Sequence, residues 1–476
     1  MNILKKITIL LLISSIFFVG CRSLEKETDS LIPHRTKVPL LRPNEYSIGM
    51  ENGNSILFKE LPNGLKVIVI EMPFSTIAYG MISFKVGGRY EPESHAGISH
   101  FLEHMLFKEK EGSEPVSEIR RMGGNVNALT DYELTTYYFT VLPEHFEESM
   151  TALSNIVLEP KFDSKDLANE REVVLEELAR GKNDPRTLVL SSLVKEVFPS
   201  SPLTNLVIGN EQSIRRITLA DLYAFHKAYY IPGNMIVVCA GAIDAKPAIR
   251  LVESLFGNLM PLPIPDISFE DPEIAVSNLT KEIPVNQAFH ITGILVPGKA
   301  EEDYYEMMLL DVLLGSGINS RLHKRIVIDE GLTEEIYPYH YSLSDTGIWA
   351  IMLSVEPEDT ERARKIIDEE IKGIKDGLFS DYDLSIAKQA LKSRLLITLD
   401  RPMELAHFEL ESLAFRRDIL TLQEHTEKLE AISRHDIILA ARRHLTADNT
   451  ITISLKPAPV PNRWFLILKL LLTGEL

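Results

Sequence analysis

Cysteine is nearly absent from this chain of 476 residues, in which only Cys21 and Cys239 are present. Cys239 lies in the apolar run Ile236–Ala240, where a small core residue is expected. Because Cys21 stands at the end of an N-terminal apolar segment, the folded part of the chain has a single cysteine. An internal disulfide, and with it a small fold held together by disulfides, is therefore excluded.

Positive charge is also scarce, since 50 Lys and Arg face 68 Asp and Glu and the formal net charge is −18. An acidic surface repels phosphate groups, so nucleic acid is excluded as a partner. The charge is compatible with basic or unfolded peptides as ligands, although such a charge most often serves solubility alone. The hydrophobic content of 45% is that of a soluble globular protein, and the length is sufficient for two domains.

Long apolar runs are missing, although the N-terminus carries a shorter one. Two lysines precede the run Ile7–Val19, which ends at Gly20-Cys21 and predicts a signal peptide over residues 1–20. The stretch Phe18–Cys21 resembles a bacterial lipobox, with Phe18 where leucine is commoner, and predicts a lipid on Cys21. An ordinary signal peptide or a membrane anchor is the alternative. The expected location is the bacterial cell envelope, with the chain lipid-anchored to a membrane on its periplasmic or extracellular face.

The remainder of the chain predicts two similar halves. Residues 21–47 are polar and proline-containing and predict a tether, followed by a domain over 48–258. A proline-rich linker over 259–282 leads to a second domain over 283–457, and 458–476 form a C-terminal tail. The two halves share a pattern at a constant offset of 215 positions, which indicates a duplicated domain. The matched residues are Ile217, Thr218, Asp221, Asn234 and Ile236 with Ile432, Ser433, Asp436, Asn449 and Ile451.

The pentapeptide His100-Phe101-Leu102-Glu103-His104 carries the chemistry. On a helix, residues four apart project about 40° from each other, so His100 and His104 can bind one zinc ion. Glu103 lies to the other side of His100, where a general base can reach a water molecule on the metal. The alternative is a buried helix with two hydrogen-bonded core histidines.

A third protein ligand is expected, and the stretch Glu170–Glu177 contains four glutamates. At ~100° per residue, Glu170 and Glu177 lie about 20° apart on the helix side that also carries Leu167, Val173, Val174 and Leu178. Glu172 and Glu176 lie on the opposite, polar side and are expected in solvent. Helix phase therefore leaves Glu170 and Glu177 as candidates.

These residues resemble the inverted zinc motif of the pitrilysin-type (M16) peptidases, with a glutamate 73 residues after the second histidine. The likeness is greatest to the processing-peptidase branch, which includes the mitochondrial processing peptidase β-subunit, and extends over roughly residues 48–455. Further stretches resemble the family in the same order: Val86–Glu91, Gly123–Ala128 and Tyr229–Met235.

The resemblance implies an α+β fold of two similar α/β sandwich domains and one zinc ion per chain. It makes Glu177 the third ligand and Glu170 an accessory carboxylate behind a histidine. It also places Asn127 and Ala128 on an edge strand that binds an extended substrate, whereas the sequence alone favours a turn at Asn127. The implied activity is hydrolysis of unfolded peptides or proteins by a zinc-activated water, with Glu103 as general base.

The second half departs from the family pattern. Its equivalent helix, Tyr304–Leu314, has no histidine, and the family's substrate-binding arginine and tyrosine fall on Val327 and Glu334. Arg325, Tyr337 and Tyr339 lie nearby but out of register. We therefore expect the zinc-bearing half of a heterodimer whose related partner supplies the Arg/Tyr contacts, or else a homodimer. A non-catalytic peptide-binding or assembly subunit is the alternative function.

Overall fold

The computed structural model describes residues 44–458, apart from 50–52, 111, 183, 200, 266, 268, 270–277, 302, 417–418 and 420. The predicted signal peptide, Cys21 and nearly all of the predicted tail lie outside the described residues. None of the described helices is both long and apolar enough to cross a bilayer.

A seven-stranded sheet forms the centre of the first half. Strands β2 and β3 pair antiparallel on either side of the turn at Asn63-Gly64 and form a hairpin. The strand order is β1-β2-β3-β7-β4-β6-β5, in which only β3 and β7 pair in parallel. The strands are β1 Glu45–Gly49, β2 Ser55–Glu60, β3 Lys66–Glu71, β4 Ala78–Phe84, β5 Asn125–Thr130, β6 Thr135–Val141 and β7 Met235–Gly241.

The helices of the first half lie between and after these strands. They are α1 Ile98–Leu106, α2 Pro115–Arg121, α3 Phe146–Leu158, α4 Ser164–Lys182, α5 Pro185–Val197, α6 Glu211–Arg216, α7 Leu219–Tyr229 and α8 Ala245–Phe256. Buried side chains of α1, α3 and α8 pack with those of β3, β4, β6 and β7 in one hydrophobic core on one face of the sheet.

The second half repeats this topology in a five-stranded sheet of order β10-β11-β9-β12-β8. Here β8 and β12 form the parallel pair, as β3 and β7 do in the first sheet. The strands are β8 Asn278–Ile283, β9 Ala288–Pro297, β10 Ile336–Ser342, β11 Thr346–Val355 and β12 Thr450–Pro457. The helices are α9 Tyr304–Leu314, α10 Thr360–Lys375, α11 Asp381–Leu399, α12 Pro402–Glu411, α13 Leu422–Ala431 and α14 Arg434–His444. Strand β8 begins inside the segment predicted as a linker.

The 215-residue repeat corresponds to equivalent elements. Thr218 and Asp221 form a capping box at the start of α7, and Ser433 and Asp436 form the same box at the start of α14. In such a box each side chain accepts a hydrogen bond from the backbone N–H of the other residue, which satisfies N–H groups that have no partner within the helix. The predicted duplication of an α/β sandwich domain is thus confirmed by both topology and helix capping.

Each half covers the sheet of the other with one helix. Helix α5 packs against β9 and β12, where Val189, Leu193 and Val197 share a core with the second sheet. Reciprocally, α12 packs against β7, β4 and β3, and Leu405 and Ala406 join the core on the outer face of the first sheet. Neither sheet could bury both of its faces without the other half.

Candidate metal centre

The residue just before helix α1 occupies a backbone position that only glycine fits. Gly97 has φ +92°, and a Cβ atom there would lie 2.5 Å from the carbonyl oxygen of Ile208. The buried Glu91 carboxylate accepts hydrogen bonds from the N–H groups of Gly97 at 2.6 Å and Ser99 at 2.7 Å. These bonds satisfy N–H groups that no side chain of the helix caps, and they fix the turn that carries His100.

The two histidines of α1 meet a glutamate of α4. The Nε2 atom of His100 lies 3.9 Å from Oε2 of Glu177, and Nε2 of His104 lies 3.7 Å from the same oxygen. One donor atom from each residue falls within 4.8 Å of the other two, and no other such group occurs in the described part of the chain. Donors bound tetrahedrally to one zinc ion lie about 3.4 Å apart. The two distances to Glu177 exceed this value by about 0.3–0.5 Å, and the donor atoms of the two histidines lie within 4.8 Å of each other, so the three side chains form a donor set that fits a zinc ion.

Glu170 fixes the orientation of His104 by contacting the ring nitrogen that does not face Glu177. Oε2 of this buried carboxylate lies 3.1 Å from Nδ1 of His104, and its other oxygen forms an ion pair with Lys108. A proton held on Nδ1 by Glu170 leaves the lone pair of Nε2 free toward Glu177. This arrangement is the usual support for a histidine that binds a metal.

His100 also has the character of a ligand. Burial lowers the pKa of this histidine to about 3, and the neighbouring His104 adds to the effect, so its imidazole is neutral at pH 7. Its Nδ1 atom is buried without a hydrogen-bond partner among the described residues. Burial of a polar nitrogen without a hydrogen-bond partner costs free energy. A histidine that served only core packing would have no interaction to offset this cost.

Glu103 lies on the same helix and is held by the edge strand. Thr130, the last residue of β5, donates a hydrogen bond from Oγ1 to Oε2 of Glu103 at 2.5 Å. Burial raises the pKa of the Glu103 carboxyl above its usual value, while this hydrogen bond and His104 act in the opposite direction. A carboxylate with one oxygen fixed and a raised proton affinity suits a general base.

The observed burial of the α4 side chains agrees with the prediction from helix phase, with one exception. Glu170 is buried, Glu177 is half-buried at the centre, and Glu172 and Glu176 are exposed as expected. Val173, expected on the inner side, is instead 42% exposed. The buried arc of α4 is therefore narrower than helix phase predicts.

Asn127 and Ala128 lie within β5, at the edge of the first sheet, so the alternative of a turn at Asn127 is wrong. The backbone N–H of Asp131 donates to the carbonyl of Leu134, and hydrogen-bonded and non-bonded pairs alternate from there along the hairpin. The N–H and C=O groups of Ala128 therefore point to the open edge.

The three side chains near the expected Arg/Tyr positions have other contacts. Arg325 is paired with Glu369 at 3.1 Å and Glu370 at 3.0 Å. The hydroxyl of Tyr337 accepts a hydrogen bond from Arg186 at 2.7 Å, and the ring of Tyr339 stacks on Tyr341.

Sequence reasoning did not identify the contacts that join this centre to the second half. Arg89 is buried and donates to Glu133 at 2.8 Å and to both oxygens of Asp345 at 2.7 Å. Glu133 also accepts from the N–H and hydroxyl of Ser344 at 2.8 and 2.6 Å. The stretch Val86–Glu91 contains Arg89 and Glu91, so the signal was present but its partners lie far away in sequence.

Comparison with known proteins identifies the family. Residues 66–211 match the profile described as insulinase (peptidase family M16), and residues 216–391 match the profile described as the peptidase M16 inactive domain. Together these matches cover more than half of the chain. The chain belongs to peptidase family M16. The description of the second profile agrees with a second half that lacks the metal-binding residues.

Relatives of this M16 chain include a Bacillus subtilis protein named an uncharacterized zinc protease, 27% identical over 84% of this chain and 98% of that protein. An Arabidopsis thaliana protein named "Probable mitochondrial-processing peptidase subunit beta" is 26% identical over 80% of this chain and 73% of that protein. A crystal structure of a Helicobacter pylori protease has the same fold, with a TM-score of 0.77 at 22% identity over 87% of this chain and all of that chain.

Proposed function

We propose that this chain is a zinc-dependent endopeptidase that hydrolyses unfolded peptides, with His100, His104 and Glu177 as the metal ligands. The observation that carries the proposal is the convergence of three donor atoms supported by the Glu170–His104 contact. When bound there, zinc polarises the peptide carbonyl and makes water more acidic.

The side chains of the protein supply the remaining steps. Glu103, oriented by Thr130, takes a proton from the attacking water and then gives it to the nitrogen of the leaving amine. The open edge of β5 holds the peptide through its backbone, which admits substrates of varied sequence.

Replacing Glu103 distinguishes loss of the general base from loss of the metal. We expect Glu103→Gln to lower kcat by about 10²–10⁴-fold, the range for loss of a general base, while zinc content is retained. Hydrolysis of a quenched-fluorescence peptide and metal analysis by mass spectrometry measure the two quantities. Full activity in the variant would refute the assignment, and a wild-type chain that binds zinc but cleaves nothing, either alone or with its related subunit, would favour the non-catalytic subunit.

We further propose that a related subunit supplies substrate contacts to this chain. The support is that Val327 and Glu334 occupy the expected Arg/Tyr positions and that Arg325 is already paired with two carboxylates. Efficient cleavage by the purified chain alone would remove the need for a heteromeric partner, and a homodimer on sedimentation analysis would favour self-association.

For the cell, we propose attachment to a membrane of the bacterial envelope through a lipid on Cys21. The support is the apolar segment followed by Gly20-Cys21. Mass spectrometry of the mature N-terminus tests this, and Cys21→Ser should release the protein from the membrane fraction if the lipid is the anchor.

A further inference from the structure

A cavity of about 190 Å³ lies where the two halves meet, at the tip of the β5–β6 hairpin. Its walls come from α5, from β10 of the second half and from Tyr132 in the hairpin turn, and they include Leu190, Ser191, Val194, Tyr339 and Tyr341. The walls are almost wholly apolar. A cavity of about 150 Å³ with such walls is enough to hold a benzene ring, so this one admits a large apolar group.

The polar atoms of two aromatic walls are occupied elsewhere. The Tyr132 hydroxyl donates to the carbonyl of Asn205 at 3.1 Å, and the Tyr341 hydroxyl donates to Asp131. Neither hydroxyl proton is thus available to a ligand in the cavity. The rings of Tyr132 and Tyr341 pack edge to face with centroids 5.9 Å apart, which makes a firm aromatic wall.

The cavity is close to the candidate centre along the chain. Tyr132 follows Thr130 by two residues, and Thr130 contacts Glu103. An extended peptide advances ~3.3 Å per residue, so a segment paired with β5 reaches the hairpin tip about two residues from the bond beside Glu103.

We propose that this cavity binds a large apolar side chain of the cleaved peptide, aromatic or leucine-like, a few residues from the scissile bond. The inference rests on the proposed peptidase function and adds a specificity to it. Ser191 of α5 is the position at which the cavity can be filled.

Peptides that differ only by Phe or Ala, placed at each of four positions on either side of the cleaved bond, test the specificity. We expect Phe at one position to raise kcat/KM about tenfold or more over Ala, as apolar pockets commonly do. Ser191→Trp should reduce that ratio to about twofold or less. Lys195→Trp, which adds the same side chain at an exposed position of α5, should leave the ratio unchanged. Melting temperature and zinc content verify that both variants fold.

Peptide binding to Glu103→Gln, measured by fluorescence anisotropy, gives a readout that requires no hydrolysis. The Phe peptide should bind about tenfold more tightly than the Ala peptide, and the added Ser191→Trp change should abolish the difference. Selective binding by a wild-type chain that hydrolyses nothing, even together with its related subunit, would refute the peptidase proposal but not the cavity. Hydrolysis without selectivity at any position, or selectivity that survives Ser191→Trp, would overturn the cavity proposal.

Discussion

At the scale of single residues, the centre depends on the residues that orient the metal ligands as much as on the ligands themselves. His104 has one nitrogen toward Glu177 and the other 3.1 Å from Glu170. Lys108 in turn forms an ion pair with the other oxygen of Glu170. The result is a chain of contacts that fixes the ring before any metal binds.

Glu170→Gln should therefore weaken zinc binding about 10- to 100-fold, because an uncharged amide is a poorer acceptor for the Nδ1 proton. Competition with a chromophoric chelator measures the zinc affinity. Glu172→Gln on the same helix is the matched control, since Glu172 is exposed and should leave the affinity unchanged. Equal affinities of wild type and Glu170→Gln would show that Glu170 does not support the ligand.

At the scale of elements, strand β5 serves the centre in two ways. Its side chain at Thr130 holds Glu103, while the backbone of Ala128 faces the open edge. Proline is tolerated on an edge strand where the lost N–H faces outward.

Ala128→Pro should raise the KM for peptides about tenfold, the value of roughly one hydrogen bond, with little loss of stability. Steady-state kinetics and thermal unfolding check the two effects. Ala128→Val keeps the N–H and is the control that isolates the backbone from added bulk. A proline variant with unchanged KM would exclude pairing of the substrate at this residue.

At the scale of the whole molecule, the half without metal residues still supports the centre. Asp345 of the second half binds Arg89, and Ser344 binds Glu133, which lies in the turn between β5 and β6, three residues after Thr130. The exchange of α5 and α12 between the sheets adds two apolar cores across the same boundary.

Asp345→Ala should lower the free energy of unfolding by about 1–3 kcal/mol and reduce peptidase activity. Breaking a fully buried ion pair costs about 3–5 kcal/mol, but the Asp345 side chain is 47% exposed, so solvent screens part of the interaction. Urea denaturation measures the stability. The exposed ion pair of Glu361 with Arg364 offers the control, because Glu361→Ala should cost less than ~1 kcal/mol. Activity unchanged in Asp345→Ala would show that the second half does not influence the hairpin.

The sequence by itself determined what depends on local periodicity. It placed His100 and His104 on one face of a helix, assigned Glu172 to solvent, and exposed the duplication through Thr218 and Ser433. These features follow from the geometry of one helix or from a repeated cap, which need no knowledge of distant packing.

Only the tertiary structure decided which distant groups meet. It set Glu177 opposite two histidines more than 70 residues earlier, brought Thr130 to Glu103 and left Val173 in solvent. Such contacts depend on how helices and strands pack. Helix phase predicts the direction in which a side chain points but not which element, if any, packs against that side of the helix. The contacts between the second half and the centre also depend on tertiary packing, because each sheet buries one of its faces against a helix of the other half.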